Sequence, residues 1–481
     1  MIELSHRRRL LVLTICCISL FVVGLDNTIV NLALPSIRRD LDASVAGLQW
    51  TIDAYTLVVA GLLMLSGSTA DRIGRRRVFQ TGLVLFGLGS LLCSLAPNIE
   101  LLIVFRAVQA IGGSMLNPVA MSIITNTFTA PKERARAIGI WGGVVGLSMA
   151  LGPVIGGALV HSIGWRSIFW INVPICIAAV ALVALYVPES RASLARRIDP
   201  AGQVLVMLLL GGLTYGIIEG PAAGWASPRI AGCFIVAVGA LAGIAFYERR
   251  RAEPLIDLRF FTSVPFSGAV LIAIIGFSAL AGFVFLNSIY LQEVRRLSPL
   301  DAGLLTLPMA AMTALFAPLS GRIVAARGAR PSLLGAGTGI AVSGALLARM
   351  TDDTSIGLLI GIYVIFGIGF GLLNAPITNT AMSGMPRSQA GVAAATASTS
   401  RQIGAALGVA VLGSVVTSRI TGPLATGFAS ASHLAWWIMS GCGVAVFALG
   451  LLTTGPRARH TADRVAAQFA AQQPKARLST S

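Results

Sequence analysis

Residues Gly67–Val78 read GSTADRIGRRRV and lie between two long apolar segments. The stretch is short, and it combines an Asp, two spaced glycines and four arginines. Arg-rich loops stay on the cytoplasmic side of a membrane, and so short a loop makes its flanking segments adjacent, antiparallel transmembrane helices. The stretch therefore predicts a membrane protein and sets the topology of the helices around it.

Composition predicts the same class of protein. The chain of 481 residues is 55% hydrophobic and 11% charged, and its mean hydropathy of +0.82 is far above that of soluble proteins. A window of ~20 residues, the length of a helix that crosses a bilayer, finds about fourteen apolar spans. They begin near Leu10, Leu48, Val78, Leu101, Ala137, Ile168, Gln203, Ile230, Phe266, Ala302, Ser332, Ser355, Val392 and Ala435. We therefore expect an all-α integral membrane fold.

The basic residues predict the orientation of the spans. With both termini in the cytoplasm, 26 of the 36 Lys and Arg residues fall on inner segments, and the whole net charge of +17 lies on that side. This distribution follows the positive-inside rule. Because the charge is spread over many inner loops and a tail, it does not predict a nucleic-acid partner. We expect a multi-pass protein of the bacterial cytoplasmic membrane, surrounded by the lipid bilayer.

Two other features have structural explanations. Arg7–Arg9 precede an apolar run, but that run continues past Asp26 to Leu34 without a small-residue cleavage site, so it is not a secretory signal. The six cysteines lie inside apolar spans and form no CxxC pair, which favours small core residues over disulfides or metal ligands. Neither a metal site nor a bound cofactor is expected.

An internal repeat divides the chain. A degenerate copy of Gly67–Arg77 occurs 254 residues later as Gly321–Arg330 (GRIVAARGAR). The Leu116–Pro118 cluster is likewise repeated around Asn374, 257 residues later. ALGPVIGG, from Ala150, matches ALGVAVLG 256 residues further on. Spans one to six therefore correspond to spans nine to fourteen. Parallel repeats of this kind describe a transporter whose two bundles rock about a central site.

The repeat predicts two six-helix bundles related by a pseudo-two-fold axis, residues 1–190 and 263–455. Residues 191–262 form a linker that carries two extra transmembrane helices, and we expect this pair to lie outside the two-bundle core. Residues 456–481 form a cytoplasmic tail without a sustained apolar period. Disorder is favoured there over a weak surface helix marked by Val465 and Phe469.

Few ionisable residues lie within the spans, and such residues usually face a cavity. Asp26, Asp53 and Arg106 all fall in the outer half of the N-terminal bundle by helix geometry. An Asp near an Arg in a cavity can exchange protons; the alternative is a static ion pair between Asp26 and Arg106. For Asp53, close to the membrane interface, the alternative is a solvated or capping carboxylate. Arg401, early in span thirteen, is a weaker candidate that could instead extend to the membrane surface.

Span five is rich in glycine. Gly142 and Gly146, and likewise Gly152 and Gly156, are four residues apart, a spacing that lets helix backbones approach closely. Pro153 weakens the helix where it could bend. Ordinary close packing and a mechanistic bend are both consistent with this pattern.

Five motifs together resemble the major facilitator superfamily, and specifically its fourteen-span drug/proton antiporters. The motifs are LDNTIVNLALP (Leu25–Pro35) in the first helix, GSTADRIGRRR in the loop, RAVQAIGGSMLNP (Arg106–Pro118) in the fourth helix, LGPVIGG (Leu151–Gly157) in the fifth, and WRSIFWINVP (Trp165–Pro174). The resemblance extends from Leu10 to about Pro456. Ala110 departs from it, because the family usually has Gly there, and this loosens the expected packing.

The resemblance implies roles for particular residues. Asp26 and Arg106 are implied to couple protons to transport, and Asp53 is grouped with them because of its depth. Asp71 is implied to brace the closed cytoplasmic gate, where it can face the inner N-terminus of span thirteen, whose helix dipole favours negative charge. The other gating and antiporter-motif residues are Arg72, Gly74, Arg75 and Arg76, and Gly146, Gly152, Pro153, Gly156 and Gly157.

With this resemblance, the sequence predicts a proton-driven antiporter that exports small lipophilic molecules, drugs or natural products, by alternating access. It would use the proton gradient without a cofactor and function as a monomer. The alternative within transport is proton-coupled symport of a metabolite or nutrient, against which the span-five motif argues. Neither a membrane enzyme nor a structural membrane protein is supported, and the sequence has no Ser/His/Asp set, metal cluster or P-loop. Lipophilic cations, neutral antibiotics and anionic metabolites all stay open as substrates.

Overall fold

The computed structural model describes residues 5–191, 199–251, 257–383 and 390–472, and in these ranges the chain forms helices joined by short connections. The helices are α1 (His6–Leu41), α2 (Val45–Ile73), α3 (Arg75–Ser94), α4 (Ile99–Thr127), α5 (Pro131–Ser162), α6 (Ser167–Trp170), α7 (Asn172–Tyr186), α8 (Pro200–Ala223), α9 (Pro228–Glu248), α10 (Val264–Ile289), α11 (Pro299–Arg327), α12 (Ala329–Leu347), α13 (Ile356–Gly371), α14 (Asn374–Met382), α15 (Ala390–Thr417), α16 (Leu424–Thr453) and α17 (Pro456–Gln472). A 3₁₀ turn (Leu258–Thr262) precedes α10, and a π-helical turn (Tyr290–Val294) follows it.

Within the described ranges, 13 helical segments are long and apolar enough to cross a membrane. The helix α12, with 19 residues, is not one of them, but it packs against α13 and α16 in the position expected for the eleventh span. Two spans are interrupted, one between α6 and α7 and one between α13 and α14. The second break comes just before Asn374 and Pro376, because proline removes a helical hydrogen bond and its ring clashes with the preceding turn.

The loop between α2 and α3 is reduced to Gly74, whose φ is +129°. Glycine is the residue that adopts this region without strain. A Cβ at this position would also lie 2.6 Å from Oε1 of Glu189, the atom that accepts a hydrogen bond from the Arg76 backbone amide (3.1 Å). Arg72 is exposed beside it. Gly74 therefore permits the tight antiparallel connection that the loop sequence predicts.

The membrane helices form two groups. In the first, α2 and α3 pack on α4, and α1 packs on α5; in the second, α12 packs on α16, and α10 packs on α15. The pairing of α1 with α5 thus returns as the pairing of α10 with α15. This is the relation expected from the internal repeat in the sequence.

We name the two ends of the molecule by their connections. The basic end is the end at which α2 joins α3 and α11 joins α12, and the opposite end is the end at which α1 joins α2. At the opposite end, Nε2 of Gln49 in α2 donates to the carbonyls of Val409 (2.9 Å) and Ala410 (3.0 Å) in α15. Ser288 of α10 donates to the carbonyl of Asn31 in α1 (2.5 Å). Hydrogen bonds therefore join the two groups at this end.

The helices α5 and α11 touch at the opposite end and separate toward the basic end. A Cβ added to Gly157 of α5 would lie 2.6 Å from the carbonyl oxygen of Pro299 at the start of α11. Gly142 and Gly146 lie on the same face of α5 by helical periodicity, yet apart from their own turns of helix no atom of the described residues comes within 4 Å of their Cβ positions. The same is true of Gly321 in α11. The space between the two groups therefore opens at the basic end.

The inserted helices lie at the side of the two groups. The helices α8 and α9 pack on each other, and α8 also contacts α2 and α15. Trp50 of α2 donates from Nε1 to Glu219 of α8 (2.9 Å), and Ser414 of α15 donates to the carbonyl of Ile217 in α8 (2.8 Å). The helix α8 thus lies against both groups along the line where they meet, a contact that sequence patterns did not indicate.

The prediction of disorder for the C-terminal tail is wrong over the part that the structure describes, because residues 456–472 form α17. Four small or apolar residues are buried along one face of this helix: Ala458, Ala462, Val465 and Phe469. The ring of Phe469 lies 5.4 Å from that of Phe260, in the turn before α10. The segment is otherwise polar, so the sequence analysis did not identify this apolar stripe. The helix forms because the stripe packs against the turn before α10.

Candidate functional site

A buried polar network occupies the interior of the first group of helices. Arg106 of α4 donates from Nη1 to Oδ2 of Asp26 in α1 (2.6 Å) and to Oε1 of Gln109 (2.6 Å). Its Nε donates to the carbonyl of Thr51 in α2 (3.1 Å), and its guanidinium lies 4.3 Å from the centre of the Tyr55 ring. Asp26 is 1% exposed and Arg106 is 2% exposed. The structure therefore brings the two residues together as a buried ion pair.

The second oxygen of Asp26 is also occupied. Its Oδ1 accepts hydrogen bonds from Nε2 of Gln109 (2.8 Å) and Nδ2 of Asn172 (2.9 Å). Both amides also donate to Oγ of Ser90 (2.8 and 3.3 Å). A charge at membrane depth needs such complete pairing, because desolvation costs several kcal/mol per ion. Both carboxylate oxygens of Asp26 thus have hydrogen-bond partners.

Gln109, Asn172 and Ser90 were not among the residues predicted from sequence. Gln109 follows Arg106 by three residues, a helical spacing that places both on one face. Asn172 lies in the WRSIFWINVP motif, where a polar side chain interrupts an apolar run. These two patterns could have identified Gln109 and Asn172 as site residues from the sequence. Ser90 carried no signal, because a single Ser in an apolar span is common.

Asp53 has different surroundings. It follows Gln49 by four residues, so it lies on the face of α2 that is turned toward α15. Its side chain is 0% exposed, and neither carboxylate oxygen has a hydrogen-bond partner among the described residues. The solvated or capping carboxylate considered for Asp53 is therefore wrong. Although sequence depth groups Asp53 with Asp26, only Asp26 is paired.

The loop residues form local contacts at the basic end. Asp71 accepts from Nη2 (2.8 Å) and Nε (3.1 Å) of Arg75, and its side chain is 33% exposed. Arg76 donates from Nη2 to the carbonyl of Ala184 in α7 (2.7 Å), which holds the loop to the first group of helices. Residues 384–389, which precede α15, lie outside the described residues. The contact of Asp71 with the start of span thirteen therefore stays a prediction.

The glycines of the antiporter motif fall into two sets. A Cβ on Gly152 would lie 1.9 Å from Oγ1 of Thr28 in α1, and one on Gly156 would lie 2.8 Å from another α1 side chain. These glycines let α5 lie directly on α1. The close packing expected at Gly146 is wrong in this conformation, since its Cβ position is open. The helix continues unbroken through Pro153.

Replacing Asp26 with Asn should destabilise the protein. Arg106 would stay buried without a counter-charge, and removing one partner of a buried pair costs roughly 3–5 kcal/mol. Thermal unfolding in detergent should show a lowered midpoint for Asp26→Asn. The double variant with Arg106→Gln should recover part of the loss, because it leaves no uncompensated charge. A single variant as stable as the wild type would contradict the pairing argument.

Replacing Asp71 with Asn should slow transport several-fold with little change in stability. A partly exposed pair four residues apart contributes only about 0.3–0.5 kcal/mol, so the unfolding midpoint should hardly move. If the carboxylate braces span thirteen when the basic end closes, turnover should fall, and Asp71→Glu should keep more activity than Asp71→Asn. Equal turnover of the Asn variant and the wild type, in a substrate efflux assay, would rule out the brace.

Comparison with known proteins agrees with this architecture. Residues 16–409 match the family model of the Major Facilitator Superfamily. The chain is 37% identical over 419 residues to the multidrug resistance protein Stp of Mycobacterium tuberculosis, covering 87% of this chain and 78% of the relative. It is 36% identical over 408 residues to the tetracenomycin C resistance and export protein of Streptomyces glaucescens, covering 84% and 75%.

A solved structure shares the fold. It is that of a bacterial homologue of the human lysosomal transporter Spinster, in an inward-facing and unoccupied conformation, with a TM-score of 0.62 and 18% identity over 97% of this chain and 99% of that one. The family match spans most of the chain, and the curated relatives align over more than four fifths of it. The chain belongs to the major facilitator superfamily of membrane transporters.

Proposed function

We propose that the protein is a proton-driven exporter of small molecules that alternates access between its two groups of helices. One observation carries this proposal: the two groups are joined at the opposite end and separated at the basic end, and the joined part buries Asp53, whose carboxyl group has no partner among the described residues. Relatives named for multidrug resistance and for antibiotic resistance and export support the direction of transport.

The proposed orientation follows from charge. The basic end lies in the cytoplasm of a bacterial cell, because its loops carry the excess of Arg and Lys. The conformation described here then faces the cytoplasm. Substrate enters the space between the groups from that side, and the joined opposite end separates it from the outside. The protein works as a monomer, with the proton gradient as its energy source.

Asp53 is the residue that we assign to carry the proton. Burying an ionised carboxylate without a partner costs several kcal/mol, whereas the neutral acid costs much less. The contact between α2 and α15 at the opposite end therefore tolerates only protonated Asp53. When this end opens, water reaches the carboxyl group and it can ionise. Protonation from the outside favours closure of the opposite end, and loss of that proton to the cytoplasm-facing space favours its reopening, so that a proton moves inward in each cycle.

Asp26 and Arg106 have a supporting role in this proposal. Their network is fully hydrogen-bonded, so proton exchange there would have to break several contacts at once. Arg106 also holds the backbone of α2 at Thr51, two residues before Asp53. The pair therefore positions the segment of α2 that carries the proton-binding carboxyl group. Of the two interpretations that the sequence left open, this geometry favours the ion pair.

Inverted membrane vesicles with an acidified lumen test the proposal. An exporter carries an added substrate into the lumen in exchange for protons, so the pH gradient should fall when the substrate is supplied from outside. A symporter working in the uptake direction would not dissipate the gradient under these conditions. Compounds for the assay come from drug-sensitivity screening of a pump-deleted host that expresses the chain. No substrate-dependent loss of the gradient with any compound that the host resists would refute proton-driven export.

A further inference from the structure

Arg401 is an unusual charge in the second group of helices. It is the only Asp, Glu, Lys or Arg in the sequences of α10, α13, α14, α15 and α16. It is the twelfth residue of α15, so it lies about 17 Å along the helix axis from the start, near the middle of the membrane. Desolvating a guanidinium at this depth is costly, and such a residue normally has a paired carboxylate. Arg106, in the first group, has one.

Arg401 has no carboxylate partner in the part of the chain that the structure describes. Its Nη2 donates to Oγ1 of Thr378 in α14 (2.6 Å), and its Nε, although buried, has no acceptor. Phe277 of α10 lies under the guanidinium, 5.9 Å from its central carbon. A planar donor group with an unused N–H is therefore held between a hydroxyl group and an aromatic ring.

Arg401 lies among helices that take part in the contact between the two groups. It lies where α10, α14 and α15 meet, and α10 and α15 contact α1 and α2 of the first group. Arg401, Thr378 and Phe277 are all partly exposed. Thr378 lies four residues before the basic end of α14, and Arg401 extends its side chain to it from further along the membrane.

We propose that Arg401 binds an acidic group of the transported molecule, and that the substrates include amphipathic organic anions with an aromatic ring. The inference rests on the proposed export function and names its substrate class. Guanidinium matches the geometry of a carboxylate and forms strong, charge-assisted hydrogen bonds with it. The anion supplies the counter-charge that the described residues lack at this site. Phe277 offers an apolar face next to the charge, where a ring of the same molecule can pack.

Two dyes with one xanthene scaffold and opposite charges test the proposal: fluorescein, which is anionic, and rhodamine 6G, which is cationic. Equilibrium binding of each dye to the purified protein and gradient-driven uptake into inverted vesicles should be measured for wild type, Arg401→Gln and Arg401→Lys. Arg419→Gln is the matched control, because Arg419 is an exposed arginine just beyond the end of α15. Removing an unpaired buried charge should leave the unfolding midpoint of Arg401→Gln unchanged or raised.

We expect Arg401→Gln to weaken fluorescein binding about 10–100-fold, as loss of a charge-assisted hydrogen bond predicts. Arg401→Lys should be intermediate and should change KM more than kcat, whereas rhodamine 6G binding and the Arg419→Gln control should be unaffected. Equal losses for both dyes, or no saturable fluorescein binding by the wild type, would overturn the proposal. Uptake of rhodamine 6G without uptake of fluorescein would overturn the proposal that the substrates include organic anions, but it would not contradict the proposed export function. Arg401-dependent binding without gradient-driven uptake would instead refute export and leave the binding site standing.

Discussion

Replacing Asp53 with Asn should abolish proton-coupled export and leave the fold intact. Asn has the shape of a protonated Asp and carries no charge, so it suits the buried position between α2 and α15 in this conformation. It can neither take up a proton from the outside nor release one to the cytoplasm. We expect gradient-driven efflux to fall to the background level. The free energy of unfolding should change by no more than a surface substitution would cause, within about 0.5 kcal/mol.

The measurement combines two assays on the same vesicles. Gradient-driven uptake should be lost in Asp53→Asn, whereas exchange of labelled for unlabelled substrate, which needs no net proton movement, should continue. Asp26→Asn is the comparison: it should lower stability and impair both assays, because it breaks a buried ion pair. Full gradient-driven uptake by Asp53→Asn would show that Asp53 does not carry the proton.

Replacing Gly157 with Ala should shift the protein away from the conformation described here. The added Cβ would lie 2.6 Å from the carbonyl oxygen of Pro299 and 2.8 Å from the Cα of Leu300, and both are backbone atoms of α11 that cannot move alone. Overpacking of this kind costs about 1–3 kcal/mol. Because the contact joins the two groups at the opposite end, the added methyl group raises the free energy of the conformation in which that end is closed. The equilibrium should shift about 5–150-fold toward opening, and export should slow.

A cysteine reporter measures this shift. Ser288 is buried (4% exposed) at the contact of α10 with α1, so Ser288→Cys, in a background without the six native cysteines, reports opening of the opposite end through its reaction with a maleimide. Gly157→Ala should raise the labelling rate. Gly146→Ala is the matched control on the same helix, since a Cβ there meets no atom within 4 Å, and its labelling rate should not exceed that of the wild type. Equal increases in both variants would indicate a general effect of alanine on α5, not a specific contact.

Much of the architecture could be predicted because it depends on local free energies of transfer into the membrane. A run of apolar residues long enough to cross the bilayer is identified from composition, and the repeat at a nearly constant offset relates the two halves before any contact is known. The depth of Asp26 and Arg106 follows from counting residues along α1 and α4, and the structure shows the two joined at 2.6 Å. The spacing of Gly152 and Gly156 also predicted close packing, and a Cβ on either would clash with a side chain of α1.

The sequence by itself therefore determined that this is a helical membrane transporter built from a repeated bundle, with two acidic groups and one basic group in the outer half of the first bundle. The tertiary structure decided which of those groups are paired. Asp53 and Arg401 lack ionic partners among the described residues, and Gly157 is packed while Gly146 is open. The burial of α17 was likewise decided by a surface distant in sequence. The physical reason is that pairing and packing depend on the closed or open state of each end, which is set by the relative positions of whole helices and not by the residues of any one span.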